Sequence, residues 1–500
     1  MPRLRLVAIA MLLASLAGTT IGVPAAAAGT ASDSDVAEVT GPVSGGRDTI
    51  TLASTAFDLE DVGYRDAEYF VEGTATSYTS SAPLTSGGAW DVEPGETADF
   101  KTRIVVRTPP KAEFNGTVIL EWLNVSGGLD AAADWNMTHT ELIRNGYAWV
   151  GVSAQSVGIN GGGIDLGGEP MALKLYDPER YGSLVQPGDS FSYDIFSQVG
   201  RALQQPGTID PFKGLKPKRW IAAGESQSAG RLFTYINGVH PLAQVYDGFL
   251  VHSRGSGAQL AEAPQPVLAV PQPAFYRKDL DAPVLEVQLE TDVLGRAHLS
   301  REGDRDLLRK WEVAGTAHYD AYGLELGLED TGPAAKDPLL GPPVTSIGEG
   351  VITCATPVNA GPAVYVLNAA IAHLDAWVRD PDAAPPSGEP IELSDPQVPT
   401  PALDAQGNVL GGIRTPHLDA PAAQLRGTGQ TGSAFCSLFG TTKPLDEATL
   451  AELYPTPQDY VATVRKATRE AVRRGFVLAE DAPAIISSAK QRAADVSSTE

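Results

Sequence analysis

The sequence predicts an α/β protein with a mostly parallel central sheet and helices on both faces of that sheet. Short apolar runs typical of buried strands alternate with helix-like segments between residues 117 and 289. This alternation indicates a parallel sheet, because neighbouring parallel strands need a crossover connection, which is usually a helix. The chain has 500 residues, 43% of them hydrophobic and 20% charged, so it can bury a large core.

The first 28 residues have the pattern of a secretory signal peptide. Arg3 and Arg5 precede an apolar stretch at 6–17 that is too short to span a bilayer, and a run of alanines follows. We expect cleavage near Ala28 and secretion of the mature chain to the extracellular space. Residues 29–47 are small, polar and without period, which predicts a flexible leader.

One domain is predicted over residues 48–492, followed by a disordered tail at 493–500. Up to about residue 108, strand-like runs separated by Ser, Gly and Pro clusters predict an N-terminal β-rich extension. Two stretches at about 158–192 and 253–281 are rich in glycine or proline and are long enough to cover a pocket mouth. We interpret both as lid-like insertions.

The predicted elements follow from apolar patterning. Strands of the extension are predicted at 49–52, 69–71 and 103–107, and strands of the sheet at 117–123, 147–152, 219–223, 248–251 and 284–289. The sheet strands are apolar throughout, as expected when both faces of a sheet are covered. A helix is predicted over 135–145. Near the C-terminus, Thr456 and Pro457 predict the start of a helix and Gly475 its end.

Charge excludes several classes of partner. The formal net charge is −24, from 37 Lys and Arg against 61 Asp and Glu. Such a chain repels phosphate backbones and anionic lipid surfaces, so we expect no nucleic-acid partner and no membrane partner. A membrane-spanning helix needs roughly 18 consecutive apolar residues, and no segment of the mature chain has them.

Cys354 and Cys436 are the two cysteines of the chain. Two are too few for a disulfide-dense scaffold or an all-cysteine metal site. Secretion implies an oxidising environment, so we expect one disulfide that closes a long loop. The alternative is one free buried thiol and a second, unrelated cysteine.

The segment 219–238 combines a strand, a sharp turn and a helix around one serine. Residues 224–228, GESQS, match the nucleophile-elbow pattern G-x-S-x-G, with serine in place of the last glycine. The elbow needs small residues because strand and helix approach closely around a strained nucleophile. Ser226 is therefore the predicted nucleophile. Ser228 is a rival, although Arg231 then stands where a small residue is expected.

An elbow serine needs an acid and then a histidine later in the chain, each in a loop after a strand. The imidazole takes the hydroxyl proton, and the carboxylate fixes the imidazole tautomer. Asp292 follows the predicted strand 284–289, and His318 follows a further short strand. Glu290 is the alternative acid, and His252, which also follows a strand, could line the pocket.

Three segments, GESQSAGR, LETD and AGTAH, together resemble the α/β-hydrolase superfamily, and more narrowly the large exported bacterial α/β-hydrolase-domain proteins. The resemblance extends to DPERYGSL, PGDSFSYDIFSQVGRAL and GNVLGGIRTPH and covers about residues 50–485. It implies Ser226 as nucleophile, His318 as base and Asp292 as acid. The chain departs from the usual pattern in the serine at position 228 and in lacking an HGGG segment.

An oxyanion hole is expected beside the nucleophile. This fold supplies one backbone N–H from the residue after the nucleophile, here Gln227, and one from the loop after an earlier strand. That loop begins Asn124-Val125-Ser126, so we expect a donor among these amides, with the Asn124 side chain as a further candidate. The alternative is that this loop is only a glycine-rich turn.

These features predict a secreted serine hydrolase that cleaves carboxylic esters through an acyl-enzyme, with no cofactor and no metal ion. The expected substrate is a small-molecule or polymer ester. A lactonase or an amidase with the same triad is the first alternative. A non-catalytic binding protein on the hydrolase scaffold is the second.

Overall fold

The structure, a computed structural model, describes residues 36–163, 169–262, 265–348, 350–395 and 398–497. The predicted signal peptide and the first part of the leader lie outside the described residues. So do residues 164–168 and 263–264 of the two insertions and the last three residues of the predicted tail.

Among the described residues, nine strands form one sheet. In chain order they are β1 (Glu38–Thr40), β2 (Arg65–Thr79), β3 (Glu93–Thr108), β4 (Thr117–Trp122), β5 (Ala148–Val152), β6 (Arg219–Glu225), β7 (Gly248–His252), β8 (Val284–Leu289) and β9 (Leu308–Val313). The strands from β4 to β9 pair in parallel, whereas β1, β2 and β3 form an antiparallel extension on one side. The predicted fold class is therefore confirmed.

The strand order predicts a crevice at the carboxyl edge of the sheet. The order is β1-β2-β3-β5-β4-β6-β7-β8-β9, so the chain goes from β4 outward to β5 and then returns to the other side of β4 with β6. In open α/β sheets, ligands bind outside the carboxyl ends of the strands where the order reverses in this way. The ends of β4 and β6 lie at that reversal.

Helices cover both faces of the sheet. In chain order they are α1 (Ala133–Arg144), α2 (Ser156–Asn160), α3 (Leu173–Tyr176), α4 (Pro178–Tyr181), α5 (Ser192–Gln204), α6 (Gln227–Thr234), α7 (His240–Ala243), α8 (Glu290–Gly295), α9 (Ala321–Leu324), α10 (Ala363–Arg379), α11 (Pro416–Asp419), α12 (Glu447–Leu453), α13 (Pro457–Arg474) and α14 (Ala482–Ser497). One apolar core lies between the sheet and α1, α10, α13 and α14, and a second lies between the sheet and α5 and α6. Trp149 and Val150 of β5 point into different cores, which explains why this strand is apolar at every position.

Small antiparallel sheets lie outside the main sheet. Their strands are β10 (Ser346–Ile347) with β11 (Ile352–Thr353), β12 (Leu393–Asp395) with β13 (Thr400–Pro401), and β14 (Ala423–Arg426) with β15 (Thr441–Pro444). Cys354 and Cys436 form a disulfide with a Cα–Cα distance of 5.5 Å, which confirms the predicted pairing. None of the described helices is both long and apolar enough to cross a membrane.

Two predicted boundaries and one predicted strand are wrong. Residues 38–40 of the predicted flexible leader form β1, because Val39 buries its side chain in the core while the backbone pairs with β2. Residues 493–497 of the predicted disordered tail belong to α14, an alanine-containing helix whose Ile485 and Ala489 are buried in the core. The predicted strand at 49–52 has no ladder partner, and Thr51 donates its N–H to the Tyr181 hydroxyl instead.

The described part of the first insertion is anchored to the extension. Arg180 and Tyr181 of α4 both bind Glu68 of β2, at 2.6 and 2.9 Å, and all three side chains are buried. Further on, Asp189 lies 2.8 Å from Arg231 of α6, the helix that begins at the predicted nucleophile. The insertion therefore reaches the carboxyl edge of the sheet, where the predicted site lies.

Candidate active site

Ser226 lies in a strained turn between β6 and α6. Its backbone angles are φ 59° and ψ −115°, a conformation that costs a non-glycine residue of order 1–3 kcal/mol. Gly224 makes room for this close approach, since a Cβ at that position would lie 3.0 Å from Leu232 and 3.1 Å from the Ser228 backbone, closer than side chains usually pack. Strand, sharp turn and helix therefore follow one another as the elbow pattern predicts.

Ser228, the rival nucleophile, points away from the crevice. Its side chain is fully buried in α6, and its hydroxyl donates to the Leu123 carbonyl at 3.2 Å, just beyond the end of β4. The serine that replaces the usual glycine thus ties the helix to the neighbouring strand. This leaves Ser226 as the serine of the turn that is placed for chemistry.

Asp292 and His318 meet across the ends of β8 and β9. Asp292 lies in the first turn of α8, where its Oδ2 accepts the Leu289 N–H at 3.0 Å. Its Oδ1 lies 2.5 Å from Nδ1 of His318. The backbone N–H of His318 donates to the Thr291 hydroxyl at 3.1 Å, which fixes the loop that carries the ring.

Glu290, the alternative acid, is engaged elsewhere. Its carboxylate accepts the N–H groups of Gly315 and Gly427 at 2.8 and 2.9 Å and lies 3.2 Å from Arg426. These bonds fasten the loop before His318 to the segment after β14. Glu290 is therefore a buried structural carboxylate, and Asp292 is the acid that the structure brings to His318.

The second nitrogen of His318 faces a residue that the sequence analysis did not single out. Nε2 lies 3.1 Å from Oε1 of Glu225, the last residue of β6 and the neighbour of Ser226. Among the described residues, no hydrogen bond joins the Ser226 hydroxyl to His318. One signal in the sequence could have pointed to Glu225, because it is an acid at the end of the otherwise apolar strand WIAAGE.

Opposing effects set the pKa values of these three groups. Burial disfavours the charged imidazole, but the Asp292 and Glu225 carboxylates together raise the pKa of His318 to about 10. Burial acts against the Asp292 carboxylate as well, yet the charge of His318 holds the pKa of Asp292 below its ordinary value. Burial dominates for Glu225 and raises the pKa of that carboxyl.

A second buried pair lies beneath the first. His252, the last residue of β7, has Nδ1 2.9 Å from Oδ1 of Asp134 in α1. Both side chains are buried, and burial lowers the pKa of His252 to about 4 and raises that of Asp134 to about 8. Glu121 of β4 accepts the N–H of Asp134 and so fixes the start of α1. His252 therefore supports the site from below as a buried, hydrogen-bonded residue.

The predicted oxyanion donors differ in availability. Gln227 is the first residue of α6, so its N–H has no acceptor within the helix. The Asn124 N–H donates to Ala131 and its side-chain amide to Glu225, while the Ser126 N–H donates to Asn124 Oδ1. Asn124 is thus excluded as a donor, because its N–H groups are already used. Among the described residues, the Val125 N–H has no acceptor, which makes it the available donor of this loop.

Among the described residues, no group of three or more His, Cys, Asp or Glu side chains is arranged to hold a metal ion. The polar atoms at the crevice are instead bonded to one another. Gln155, after β5, accepts the side-chain N–H groups of Trp122 and Gln227 and donates to Asp189. These hydrogen bonds link the turn at Ser226 to the first insertion.

Comparison with solved structures returns hydrolases at low similarity. An α/β serine hydrolase without a lid from Xanthomonas campestris is 11% identical, with 51% of this chain and 88% of that chain covered and a TM-score of 0.26. An esterase from Pyrococcus furiosus is 10% identical, with 52% of this chain and 86% of that chain covered and a TM-score of 0.27. A fungal esterase from Rhizomucor miehei is 11% identical, with 53% of this chain and 79% of that chain covered and a TM-score of 0.26. At these values the matches carry no information about the site.

Comparison with curated protein sequences returns no match. The family model described as alpha/beta hydrolase domain matches residues 39–487. This span includes strands β2 to β9 of the central sheet and every residue of the candidate site. The protein therefore belongs to the α/β-hydrolase domain family, as the resemblance of its motifs implied.

Proposed function

We propose that this protein is a serine hydrolase that cleaves carboxylic esters, with Ser226 as nucleophile, His318 as general base and Asp292 as the acid that orients His318. One arrangement carries the proposal. Asp292 holds Nδ1 of His318 at 2.5 Å, while Nε2 of the same ring reaches Glu225, the residue next to Ser226. The base therefore lies at the turn of Ser226, with the nitrogen that does not face Asp292 directed toward that turn.

The proposed reaction begins when Ser226 Oγ attacks the acyl carbonyl and its proton passes to Nε2 of His318. The imidazolium then gives this proton to the leaving alcohol, and an acyl-enzyme remains on Ser226. Water then attacks the acyl-enzyme with His318 again as base. The carboxylic acid product is released as the proton returns from His318 to Ser226. Asp292 keeps the proton on Nδ1 and stabilises the charged ring throughout.

The oxyanion of each tetrahedral intermediate would be bound by the N–H groups of Gln227 and Val125. Gln227 follows the nucleophile directly, and the loop of Val125 is joined to the nucleophile turn through the Asn124 side chain, which donates to the Glu225 carbonyl at 3.2 Å. Donors fixed in this way stabilise developing negative charge without reorganisation.

We also propose that the mature protein works outside the cell. The signal-like pattern before Ala28 supports this localisation, and so does the disulfide between Cys354 and Cys436, since disulfides persist in oxidising compartments. Mass spectrometry of the protein recovered from the medium would test it. A mature N-terminus near residue 29 is expected, and retention of the uncleaved chain inside the cell would contradict it.

Fluorophosphonate labelling combined with an ester and lactone panel tests the proposed reaction. Wild type should be labelled on Ser226 and should hydrolyse p-nitrophenyl esters, and Ser226→Ala should lose both properties. Ser228→Ala is the matched control, because it removes a nearby buried hydroxyl that donates to the Leu123 carbonyl and faces away from Ser226's partners. Hydrolysis that survives in Ser226→Ala, or labelling of Ser228, would overturn the assignment. The panel also separates ester from lactone preference.

A further inference from the structure

Glu225 is a buried carboxylate at the reacting centre that the proposed mechanism does not use. Its side chain has no exposed surface, and it lies at the end of β6 beside Ser226. An uncompensated buried carboxylate is costly, so such a group requires partners. The contacts of its two oxygens indicate what it does.

The two carboxylate oxygens of Glu225 have different partners. Oε2 accepts the Asn124 side-chain N–H at 3.1 Å, and this contact holds the carboxylate against the end of β4. Oε1 lies 3.1 Å from Nε2 of His318, within ion-pair distance, and neither atom has a hydrogen-bond partner among the described residues. One oxygen is thus anchored, and the other is directed at the base.

His318 is consequently flanked by two carboxylates, with Asp292 at Nδ1 and Glu225 at Nε2. The ring is 4% exposed, so water contributes little to the solvation of its charged form. In this dry environment an anion on each side stabilises an imidazolium far more than it would in water.

We propose that Glu225 is a positioning residue of the hydrolase reaction: its carboxylate holds the Nε2 side of the His318 ring at the nucleophile turn and stabilises the imidazolium that forms there. This inference rests on the proposed function. When Ser226 attacks, its O–H bond breaks, its oxygen forms the bond to the acyl carbon while the carbonyl π pair moves onto the carbonyl oxygen, and the proton binds Nε2 beside Oε1 of Glu225. As the carbonyl re-forms, the acyl C–O bond to the alcohol breaks and the same proton moves from Nε2 to the leaving alcohol oxygen, so Glu225 itself gains and loses no proton.

Other titratable groups near the pair do not replace Glu225. His252 approaches both His318 and Glu225 from β7, but burial keeps it neutral with a pKa of about 4. Asp134 approaches Glu225 from α1, but its Oδ1 pairs with Nδ1 of His252 and not with His318. The Tyr319 phenol also faces Glu225, and burial raises its pKa above the ordinary value. Among the described residues, Asp292 and Glu225 are therefore the two carboxylates within ion-pair distance of His318.

The test compares the pH dependence of kcat/KM in wild type and Glu225→Gln for ethyl butyrate, an alkyl ester that hydrolyses only slowly at alkaline pH. Loss of the Nε2-side charge should move the acid limb of the profile to lower pH by about one unit or more. The plateau kcat should fall by up to about tenfold for each unit by which the pKa of His318 decreases, because a weaker base accepts the hydroxyl proton less readily. Glu141→Gln is the matched control, since it removes another buried carboxylate, in α1, that pairs with Arg144 and should leave the limb in place.

A second readout does not depend on activity. Titration of ¹⁵N-histidine-labelled protein by NMR, with His318→Gln to assign the signal, should give a lower midpoint for His318 in Glu225→Gln than in wild type. Coincident midpoints would overturn the inference even if the enzyme hydrolyses esters. An enzyme without ester hydrolysis or Ser226 labelling would instead overturn the proposed function, and the titration would still report on the Glu225–His318 pair.

Glu225→Asp covers the case in which Glu225→Gln does not fold. Aspartate keeps the charge but withdraws the carboxylate from Nε2 by one methylene. A His318 midpoint below that of wild type would support the role of the contact. A midpoint equal to that of wild type would contradict it.

Discussion

Oδ1 of Asp292 lies 2.5 Å from Nδ1 of His318, and these residues are separated by 26 positions in the chain. Two parallel neighbours, β8 and β9, bring them together, because each residue follows the carboxyl end of its strand. Glu290 is two residues closer to β8 than Asp292, but its bonds to Gly315 and Gly427 direct it away from the ring. The backbone geometry of the first turn of α8 therefore determines which of the two carboxylates contacts the histidine.

Asp292→Asn should lower kcat about 10³- to 10⁴-fold with little change in KM, because an amide no longer favours the required tautomer or the imidazolium. Glu290→Gln should keep kcat within about tenfold of wild type and lower the free energy of unfolding by about 1–3 kcal/mol, because its buried hydrogen bonds are weakened. Steady-state kinetics and urea unfolding of both variants check this pair. The reverse pattern would identify Glu290 as the triad acid.

Ester hydrolysis should increase with pH well beyond neutrality. His318 must be neutral to accept the Ser226 proton, and the carboxylates of Asp292 and Glu225 raise its pKa to about 10 against the effect of burial. The acid limb of kcat/KM should therefore have its midpoint clearly above pH 7. A profile over pH 5 to 11, with a substrate that is stable to alkaline hydrolysis, measures this. A midpoint at the ordinary histidine pKa would contradict the two-carboxylate environment.

The same shift predicts how stability depends on pH. The pKa of His318 is raised in the folded state, so the ring binds its proton more tightly there than in the unfolded chain. Its contribution to stability is complete below an unfolded pKa of about 6.5 and is lost as the pH rises toward about 10. The difference in unfolding free energy between wild type and His318→Gln should therefore shrink over this interval. A difference that grows with pH would contradict the sign.

The parallel part of the sheet could be predicted from the sequence because its strands are buried on both faces. The predicted strand 284–289 coincides with β8, and the prediction 117–123 differs from β4 by one residue. The strands of the antiparallel extension are much longer than the sequence predicts. β2 and β3 have 15 and 16 residues. The outer half of β3 carries mostly exposed polar side chains, the outer half of β2 carries mostly half-buried polar ones, and both are ordered by backbone pairing between the strands. Polar ladders of this kind have no apolar period to detect.

Local motifs indicated the site residues, but not the contacts between them. Ser226 could be recognised from the small residues of its turn, and His318 from the strand that precedes its loop. The approach of Glu225 to Nε2 could not be predicted, because it depends on how the loop after β9 folds back over β6. Asn124 is likewise lost as an oxyanion donor through contacts that its local sequence does not show. Its side chain binds Glu225, which is far away in the chain, and its backbone N–H binds Ala131 across the loop.

Removal of the disulfide should destabilise the protein more than it impairs catalysis. Cys354 and Cys436 are 82 positions apart, and the loop they close contains Gly427, which accepts the Thr291 hydroxyl at 2.5 Å behind Asp292. In the chain-entropy treatment, loss of a cross-link of this span costs at most about 4–5 kcal/mol. Cys354→Ser combined with Cys436→Ser should therefore lower Tm and keep kcat near that of wild type at 25 °C. An unchanged Tm would contradict this expectation.

The backbone strain at Ser226 should appear as a stability difference between two inactive variants. Ser226→Ala and Ser226→Gly both remove the hydroxyl, but only alanine keeps a Cβ at φ 59°. Glycine adopts positive φ readily, and its greater freedom in the unfolded chain offsets part of the gain. Ser226→Gly should therefore exceed Ser226→Ala in unfolding free energy by about 1 kcal/mol. Urea unfolding of the two proteins measures this difference. If the alanine variant is equally or more stable, the turn stores no strain, and the geometry that exposes the nucleophile must be held without cost to the fold.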